Sequence, residues 1–299
     1  MELKKHELSV LIPTYNEVCV GLVERLQKQA QLLGISYEIV VADDGSTDER
    51  TVSVNADGIG RLEHCRYIRR GVNAGRAAIR NYLASQSAYE WLLFVDSDMT
   101  VRSDDFLRRY METEGADVVD GGVTIGGDEA LLRHNLRYRY EKAAEGEHTA
   151  AQRQQRPYHH LHTANLMVRR QVMLDCPFDE RFRCYGYEDV LLGKQLARRR
   201  VPISHIDNPL GFDTFEDNPH FVAKTEEGLR TLYQFRDELR GYSALLTVAD
   251  GIHLGLVRAI IVAAFCLVGP LLRRNLCGRH PFVGLFKMYK LGYYLKLKQ

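Results

Sequence analysis

Acidic residues stand directly after two apolar stretches of the chain, in a pattern that suits metal or nucleotide binding. Asp96 and Asp98 follow the run WLLFV with one residue between them, and Asp43 and Asp44 follow the run YEIVVA. If the chain turns there, Asp96 and Asp98 can face one cation, because Mg²⁺ and Mn²⁺ take carboxylate and phosphate oxygens in one shell. A polar turn in which these side chains cap backbone groups is the structural alternative.

The pair Asp43 and Asp44 precedes Gly45 and Ser46. A carboxylate at this place can accept a hydrogen bond from the N–H of a base or from a ribose hydroxyl. The same four residues can also form a type I turn before a helix, capped by Ser46 or Asp48. The two roles are compatible with each other.

A third acidic pair, Glu188 and Asp189, opens the helical pattern GYEDVLLGKQLARRR. Acids in the first turn of a helix are stabilised by the helix dipole, which gives them a structural reason to be there. A carboxylate held at a helix start can also accept a proton from a substrate hydroxyl. The pattern therefore predicts a general base at this pair and leaves the structural explanation open.

Two arginines add positive charge near the start of another helical pattern. Arg76 and Arg80 are spaced i, i+4, so they lie on one helical face. Two guanidinium groups near a helix start can bind a diphosphate. The alternative is a solvated face.

Histidines give weaker signals. His159, His160 and His162 cannot all reach one metal at helical or strand spacing, so we retain for them only a contact with a substrate phosphate. His205 and His220 are candidates for one additional metal ligand.

Elements that would position these side chains alternate along the first 120 residues. Apolar runs at 8–13, 37–43 and 90–96 read as buried strands, and helical patterns cover 17–34 and 75–88. This alternation predicts an α/β fold with a mostly parallel sheet, which holds its ligands at the carboxyl ends of the strands. Further strands are expected at 65–70, 117–125 and 165–170, helices at 103–115, from 186 and at 220–240, and a helix followed by a mobile loop at 126–162.

The charge of the chain is unevenly distributed. The 299 residues carry 40 basic and 39 acidic side chains, but residues 251–299 hold eight Lys or Arg and no acid. The tail is therefore near +8 and residues 1–250 are near −7. Such asymmetry suggests an anionic partner for the tail.

The most apolar segment of the chain lies in this tail, at 254–272. Arg258 interrupts it, and the remaining 259–272 is shorter than the roughly 20 residues of a membrane span, which favours an interfacial or re-entrant helix. Basic and aromatic residues alternate over 286–298, a pattern suited to anionic headgroups. We expect peripheral membrane association through 251–299, and removal of that segment should then solubilise the body. A helix pair that packs on the core, or a homo-oligomer contact, is the alternative.

The six cysteines include no C-x-x-C pair, which predicts free thiols and no zinc site. No long apolar stretch precedes Pro13, so we expect no signal peptide and place the protein in the cytoplasm, on the cytoplasmic face of the membrane. No nucleic-acid partner is expected.

Five motifs in order, LSVLIPTYNE, VVADDGSTD, NAGRAAIRN, LLFVDSDM and GYEDVLLG, resemble the family 2 glycosyltransferases of bacterial type, over about residues 7–240. The resemblance implies the GT-A fold, a Rossmann-like sheet flanked by helices. It implies a GT-A domain at 1–245, with a nucleotide-binding half at about 1–125 and an acceptor half at about 126–245. Residues 246–299 would form a basic amphipathic helical extension.

The resemblance also implies an inverting hexosyltransferase-type enzyme that uses a nucleotide sugar and Mn²⁺ or Mg²⁺. UDP is the favoured nucleotide, with GDP and dTDP as alternatives, and the acceptor would be a glycan or a lipid-linked molecule of cell-surface polysaccharide assembly. Asp189 would be the catalytic base, oriented by Glu188, and Asp98 would bind the metal with Asp96. The donor site would comprise Pro13, Tyr15, Glu17, Asp43, Asp44, Arg76, Arg80 and Asp96.

Two departures from the family pattern matter. Several bacterial members carry a His soon after an NP dipeptide, where this chain has Phe212, so a third protein ligand for the metal stays open. The Q-x-x-R-W motif of processive synthases is missing, and the only tryptophan, Trp91, lies inside a strand. Transfer of single sugars is therefore favoured over polymerisation.

Two rival functions remain. A nucleotidyltransferase of similar fold would have a glycine-rich, basic loop after the first strand, whereas PTYNEVCVG is acidic and poor in glycine. A non-catalytic membrane-associated scaffold could retain the fold, but it would not need the carboxylates of Asp98 and Asp189.

Overall fold

The computed structural model describes residues 3–298, so the first two residues of the expected domain 1–245 and the last of 246–299 lie outside it. Its ten strands are β1 (Glu7–Thr14), β2 (Ser36–Asp43), β3 (Cys65–Arg69), β4 (Trp91–Val95), β5 (Met99–Thr100), β6 (Val118–Asp120), β7 (Val123–Ile125), β8 (Asn165–Arg169), β9 (Ile203–His205) and β10 (Leu210–Phe212).

Fourteen α-helices occur within residues 3–298. They are α1 (Val20–Leu33), α2 (Glu49–Ile59), α3 (Arg76–Gln86), α4 (Phe106–Glu112), α5 (Glu129–Leu132), α6 (Leu136–Ala144), α7 (Ala150–Gln155), α8 (Arg170–Asp175), α9 (Glu188–Arg198), α10 (Asn218–Gln234), α11 (Arg236–Leu239), α12 (Ala244–Asp250), α13 (Gly255–Leu276) and α14 (Gly284–Leu297).

Seven strands form the central sheet, in the order β3-β2-β1-β4-β8-β6-β9, and the short strands β5, β10 and β7 form a second sheet. All neighbours in the central sheet are parallel except β8, which runs antiparallel to both β4 and β6. The predicted mostly parallel α/β sheet is therefore confirmed.

Both faces of the central sheet are covered, which explains the continuous apolar run WLLFV of the central strand β4. Side chains of α1 and α4 pack on one face, against residues such as Val10 and Leu93. Side chains of α3, α8 and α9 pack on the other face, against residues such as Leu11 and Phe94. The two layers hold the strand ends in fixed positions.

Two predicted elements differ in the structure. The expected strand 117–125 is divided between the two sheets, because Gly122 has a φ of 81° and a Cβ on Gly121 would collide with Tyr110 and Asn165. The expected helix and mobile loop at 126–162 consists instead of α5, α6, a 3₁₀ turn at Glu145–Glu147 and α7. Short helices with polar caps leave little periodic signal in the sequence.

The C-terminal helices α13 and α14 form a hairpin that packs against α10. Tyr294, Leu295 and Phe286 of α14 are buried in clusters that also contain residues of α10. The expected domain boundary at 245/246 falls inside α12, and residues on both sides of it share one cluster. The division into two domains stays a prediction.

Pro270 does not break α13, which runs for 22 residues. Within residues 3–298 it is the one helix long and apolar enough to cross a membrane by length and composition, with a mean hydropathy of 2.3. Soluble core helices can pass the same test, but only 17% of this segment is buried. Its outer face includes Leu256, Ile260, Leu267 and Leu271.

Candidate active site

The three loops that carry the first acidic motifs meet at one edge of the central sheet. Thr14 and Asp43 are paired at the ends of β1 and β2, and the N–H of Asp44 donates to the carbonyl of Thr14 at 2.9 Å. Asp96 comes directly after the parallel strand β4, next to β1. The carboxyl ends of parallel strands lie together, so the motifs converge as predicted.

Two adjoining cavities open at this edge. The first, of about 590 Å³, is called here the strand-end cavity, and its wall includes Pro13, Tyr15, Glu17, Asp44, Arg76, Arg80, Asp96 and Asp98. The second, of about 260 Å³, is called the side cavity, and it extends toward Val123, Arg137, His148, His162 and Phe212. The two cavities share Arg76, Asp96, Asp98, Tyr185 and Lys224.

Three of the predicted site residues do not line the described part of either cavity. Asp43 is fully buried, accepts a hydrogen bond from the N–H of Ser46 at 2.7 Å, and accepts another from the Tyr67 hydroxyl. The structure thus gives Asp43 the turn role, and Asp48, rather than Ser46, caps α2 through the N–H of Arg50. The other two, Glu188 and Asp189, are in the first turn of α9, where Glu188 pairs with the wall residue Arg76.

Asp44 does line the strand-end cavity, but its carboxylate is already engaged. It accepts hydrogen bonds from the N–H groups of Ala74 and Gly75, at 3.1 and 2.9 Å, and pairs with Arg70 at 3.2 Å. These contacts fix the loop that leads into α3.

Asn16 was not singled out from the sequence, yet it joins the first two loops. Its side-chain oxygen accepts from the N–H groups of Thr47 and Asp48 at 2.9 and 3.0 Å, and its own N–H donates to Ser46 at 2.7 Å. Its φ is 53°, a left-handed conformation that asparagine tolerates better than most residues. The asparagine in PTYNE was the available signal.

The predicted arginine pair forms the centre of a network of ion pairs. Arg80 is buried, with 1% of its side chain exposed, and it donates to Asp96. Arg76 bridges Asp96 and Glu188, with both distances 3.0 Å. The solvated-face alternative is therefore wrong for Arg80, whereas the side chain of Arg76 is 43% exposed but forms two ion pairs. Burial alone would raise the pKa of Asp96, but the charges of Arg80 and Arg76 outweigh it and hold that pKa below its ordinary value.

Asp98 is the exposed carboxylate of the D-x-D motif, and its side chain makes no hydrogen bond or ion pair to residues 3–298. Enclosure in the cavity and the nearby charge of Asp96 raise its pKa. Burial and the charge of Asp98 also raise the pKa of Glu17. Each of these carboxyl groups would be stabilised in its charged form by a nearby cation.

A divalent ion fits this arrangement in one particular way. Within residues 3–298, no three His, Cys, Asp or Glu side chains converge as a metal cluster. Asp96 is committed to two arginines, so Asp98 supplies the free carboxylate. Mg²⁺ and similar ions bind through one or two carboxylates when substrate phosphates and water complete the shell, and Asp98 suits that mode.

The two histidines predicted as candidates for an additional metal ligand do not reach the cavities that contain Asp98. His205 is buried beside Arg153 and Pro157, and His220 is exposed and paired with Asp217 on α10. Neither lines the described cavities. Phe212 pairs with Met99 across β10 and β5, next to Asp98, and its ring is covered by Arg137 at 4.3 Å.

The first turn of α9 holds the predicted base. Glu188 is buried and Asp189 is half-buried. Burial and the charge of Glu188 raise the pKa of Asp189 to about 6, against weaker opposing effects of the Val190 N–H and of Arg76. A carboxylate with such a pKa can accept a proton near neutral pH.

Two basic cavity residues, Lys224 and Arg137, belong to no readable motif in the sequence. Lys224 of α10 lines both cavities and lies 4.5 Å above the ring of Tyr185, and Arg137 of α6 pairs with Glu216 at 2.6 Å. They belong to ordinary amphipathic helices, so only the packing of those helices brings them to the site.

Comparisons with known proteins agree with this geometry. Residues 9–175 match the family model described as glycosyl transferase family 2. A curated relative from Yersinia pestis (strain Pestoides F), undecaprenyl-phosphate 4-deoxy-4-formamido-L-arabinose transferase, is 28% identical over 130 residues, 42% of this chain and 39% of the relative. A protein of the same name from Enterobacter sp. (strain 638) is 48% identical over 46 residues, 15% of this chain and 14% of the relative. The chain thus spans about two fifths or less of these relatives.

Solved structures with GT-A folds cover more of the chain at lower identity. Staphylococcus aureus TarS 1–349, in complex with UDP-GlcNAc, superimposes with a TM-score of 0.52 at 17% identity, over 98% of this chain and 91% of that one. Mycobacterium tuberculosis glucosyl-3-phosphoglycerate synthase, with Mn²⁺, UDP and phosphoglyceric acid, gives 0.52 at 16% identity, over 80% of each chain. Taken with the matched family model, which covers more than half of the sequence, the fold and the motifs show that this chain belongs to glycosyltransferase family 2.

Proposed function

We propose that this protein is an inverting, metal-dependent glycosyltransferase of hexosyltransferase type, which moves one sugar from a nucleoside-diphosphate donor to a hydroxyl group. Transferase activity follows from the family, and the finer assignment depends on the site. The observation that carries it is the free carboxylate of Asp98, placed at the junction of the two cavities beside Arg76 and Lys224. A donor and an acceptor can each occupy one cavity and meet there.

The strand-end cavity suits a nucleoside diphosphate. Tyr15 offers a half-exposed aromatic ring at its rim, and Asp44 lies on its wall at the end of β2. Arg76 and Lys224 can neutralise the leaving diphosphate, where negative charge develops in the transition state. UDP remains the favoured nucleotide, and GDP and dTDP are the alternatives. Two structural neighbours were solved with UDP-GlcNAc and with GDP-Man and Mn²⁺.

When bound at Asp98, beside Asp96, Mn²⁺ or Mg²⁺ would supply positive charge to the donor's phosphate oxygens. The chain's own residues carry the remaining tasks. Asp189 accepts the proton of the acceptor hydroxyl, and Glu188, fixed by Arg76, holds the start of α9 in place. Attack from the side opposite the leaving group inverts the configuration of the sugar.

The acceptor is proposed to be a glycan or a lipid-linked molecule of cell-surface polysaccharide assembly, and the enzyme to act without processivity. The curated relatives are named for undecaprenyl-phosphate, and α13 presents an apolar face with Arg258, Arg273 and Arg274. These features support peripheral attachment to the cytoplasmic face of a membrane. A homo-oligomer that covers α13 is the alternative.

Thermal unfolding in the presence of nucleoside diphosphates tests the proposal, because a ligand that binds the native state raises its stability. UDP, GDP and dTDP are each added with and without Mn²⁺. We expect one of them to raise Tm, and to do so much more strongly with the metal. An equal rise in Tm with and without Mn²⁺ would contradict the proposed metal dependence.

A second assay separates the rival functions. The purified protein is incubated with a panel of nucleotide sugars, and release of the nucleoside diphosphate is measured. A transferase hydrolyses its donor slowly or transfers its sugar, whereas a non-catalytic scaffold releases nothing. A nucleotidyltransferase would release pyrophosphate from a nucleoside triphosphate instead.

A further inference from the structure

A buried charge lies beneath the side cavity and has no role in the sugar-transfer chemistry proposed for this site. Asp120, the last residue of β6, has no exposed surface. It accepts hydrogen bonds at 2.7 Å from Arg153 and from the N–H groups of Gly122 and His162. Replacing a buried ion pair with apolar residues is often neutral or stabilising, so stability alone explains the pair of Asp120 and Arg153 poorly.

Asp120 holds one histidine at the wall of the side cavity. The ring Nδ1 of His162 lies 3.3 Å from both carboxylate oxygens of Asp120. The second ring nitrogen, Nε2, makes no hydrogen bond to any of residues 3–298. The ring is partly exposed on the cavity wall, so a ligand in the cavity can reach it. A carboxylate that accepts from Nδ1–H fixes the tautomer in which Nε2 carries a lone pair.

The second histidine of this network, His205, is neutral. Arg153 donates from Nη1 to Nδ1 of His205 at 2.9 Å, and Nε2 of His205 donates to the carbonyl of Pro157 at 2.9 Å. An arginine cannot accept, so His205 carries its single proton on Nε2. Arg153 therefore balances the charge of Asp120, and the His162 ring needs no positive charge.

The other polar groups of the side cavity show what kind of ligand would suit Nε2. Glu141 lies on the same wall and offers carboxylate oxygens, whereas Glu145 is already engaged by Lys142 and by the N–H of Ile125. The cations of this cavity are paired with acids, Arg76 with Asp96 and Glu188, and Arg137 and Lys224 with Glu216. A lone pair on Nε2 and nearby carboxylates accept hydrogen bonds, which a sugar hydroxyl can donate and a phosphate oxygen cannot. The rings of Tyr185 and Phe212 add apolar surface to this polar wall.

We propose that His162 contacts a hydroxyl group of the acceptor through Nε2, and that Asp120 is the positioning residue that fixes its ring. The inference rests on the proposed function and names the group that the side cavity recognises, a neutral hydroxyl-bearing moiety.

The protonation of the ring is tested first, because this needs no substrate. In the ¹⁵N spectrum of the full-length protein at pH 7.5, we expect His162, assigned by comparison with His162→Gln, to be neutral with its proton on Nδ1. A proton on Nε2, or a doubly protonated ring, would overturn the proposal.

Kinetics test the contact itself. The donor found in the nucleotide-sugar panel is supplied with octyl glycosides, which carry hydroxyls and no charge, or with undecaprenyl phosphate in detergent. We expect transfer to an octyl glycoside, and about a tenfold rise in its KM in His162→Gln, the value of one lost hydrogen bond. His160→Gln is the matched control, since His160 does not line either described cavity, and its KM should stay within twofold.

A double-mutant cycle tests the positioning role. Asp120→Asn should raise the acceptor KM as His162→Gln does, and the double variant should add little more, because the two residues act as a unit. Mn²⁺-dependent binding of the nucleoside diphosphate should persist in all three. If Asp120→Asn does not fold, His162→Gln and the ¹⁵N spectrum still decide the matter.

Transfer to undecaprenyl phosphate alone, or an unchanged acceptor KM in His162→Gln, would overturn the inference while leaving the proposed function intact. Failure of the proposed function would look different, since the wild-type protein would then consume no nucleotide sugar.

Discussion

The guanidinium of Arg76 lies 3.0 Å from the carboxylate of Glu188, which is 112 positions away along the chain. The contact joins the start of α3, on the wall of the strand-end cavity, to the start of α9. It also keeps the Glu188 charge beside Asp189, whose pKa it raises. One ion pair thus links the predicted diphosphate-binding helix to the predicted base.

The first prediction concerns pH. A general base works only when deprotonated, and the pKa of Asp189 is raised to about 6, so kcat should be full above that pH and fall as pH drops through it. Asp189→Asn should lose at least about 10²-fold in kcat and bind the donor normally. Initial rates of sugar transfer between pH 5 and 8 measure both effects.

Glu188→Gln provides the control for that assignment. It removes the negative charge that raises the pKa of Asp189, so the acidic limb of the profile should move to lower pH. A limb that stays in place, or an Asp189→Asn variant with a near-normal rate, would show that another group accepts the proton.

The second prediction concerns the metal. Asp98→Ala removes the free carboxylate of the D-x-D motif and should abolish the Mn²⁺-dependent part of nucleotide affinity, as measured by calorimetry. Asp57→Ala, which changes an exposed acid of α2, should leave that affinity unchanged. Equal Mn²⁺-dependent affinity in Asp98→Ala and the wild type would rule out Asp98 as the ligand.

The third prediction concerns stability. Arg80→Met removes the buried partner of one carboxylate oxygen of Asp96. Removing one partner of a buried ion pair should lower the free energy of unfolding by about 3 kcal/mol or somewhat more. Arg25→Met breaks an exposed pair with Asp104 and should cost at most about 1 kcal/mol. Urea unfolding compares the two free energies, and similar values would contradict the structural role of Arg80.

The fourth prediction concerns the membrane. Ile260, Leu267 and Leu271 are 58%, 80% and 65% exposed on α13. Replacing all three with Gln should abolish co-sedimentation with vesicles that contain phosphatidylglycerol. Because these side chains bury little surface, the free energy of unfolding should change by no more than about 0.5 kcal/mol per site.

The matched control carries Gln at Leu32, Leu131 and Leu174, three exposed leucines in other helices. This variant should sediment like the wild type at low salt. Equal loss in both variants would mean that general surface hydrophobicity, and not α13, accounts for binding. A wild-type protein that stays soluble beside the vesicles would contradict membrane attachment.

The fifth prediction concerns deletion of the basic tail, residues 251–299. Removal of 251–299 was expected to solubilise the body, but α14 supplies Tyr294 and Leu295, both with no exposed surface. Leu295→Ala alone should lower the free energy of unfolding by about 2–5 kcal/mol, so deletion of the whole segment should destabilise the protein. Thermal unfolding of both variants measures this, and an unchanged Tm after deletion would favour an independent extension.

Local patterns sufficed to predict the sheet and the loops at its edge. The apolar runs before Asp43 and Asp96 read as buried strands, and parallel strands place the residues at their carboxyl ends along one edge. The positions and contacts of individual side chains could not be predicted from these local patterns. Asp43 and Asp44 are neighbours in sequence, yet one is buried in a turn and the other lines the cavity.

The rest of the site depends on contacts between distant elements. The spacing of Arg76 and Arg80 is equally compatible with a solvated face, and only Asp96 and Glu188 make them a buried network. Arg137 and Lys224 reach the cavities because α6 and α10 pack there, which no local pattern encodes. His162 was noted in the sequence, but its partner Asp120 was hidden inside an apparently ordinary strand.

The reversed direction of β8 has a consequence for how this protein could be re-engineered. Because β8 is antiparallel to its neighbours, its first residue, Asn165, pairs with Val95 at the site edge, and the segment before it enters the side cavity from that edge. The strand-end cavity is lined in part by loops that precede residue 99, and the side cavity in part by the segment between β6 and β8. The two sets of loops are thus separate modules. Transplanting residues 121–164 from another member of the family should exchange the acceptor that is glycosylated and preserve the choice of nucleotide.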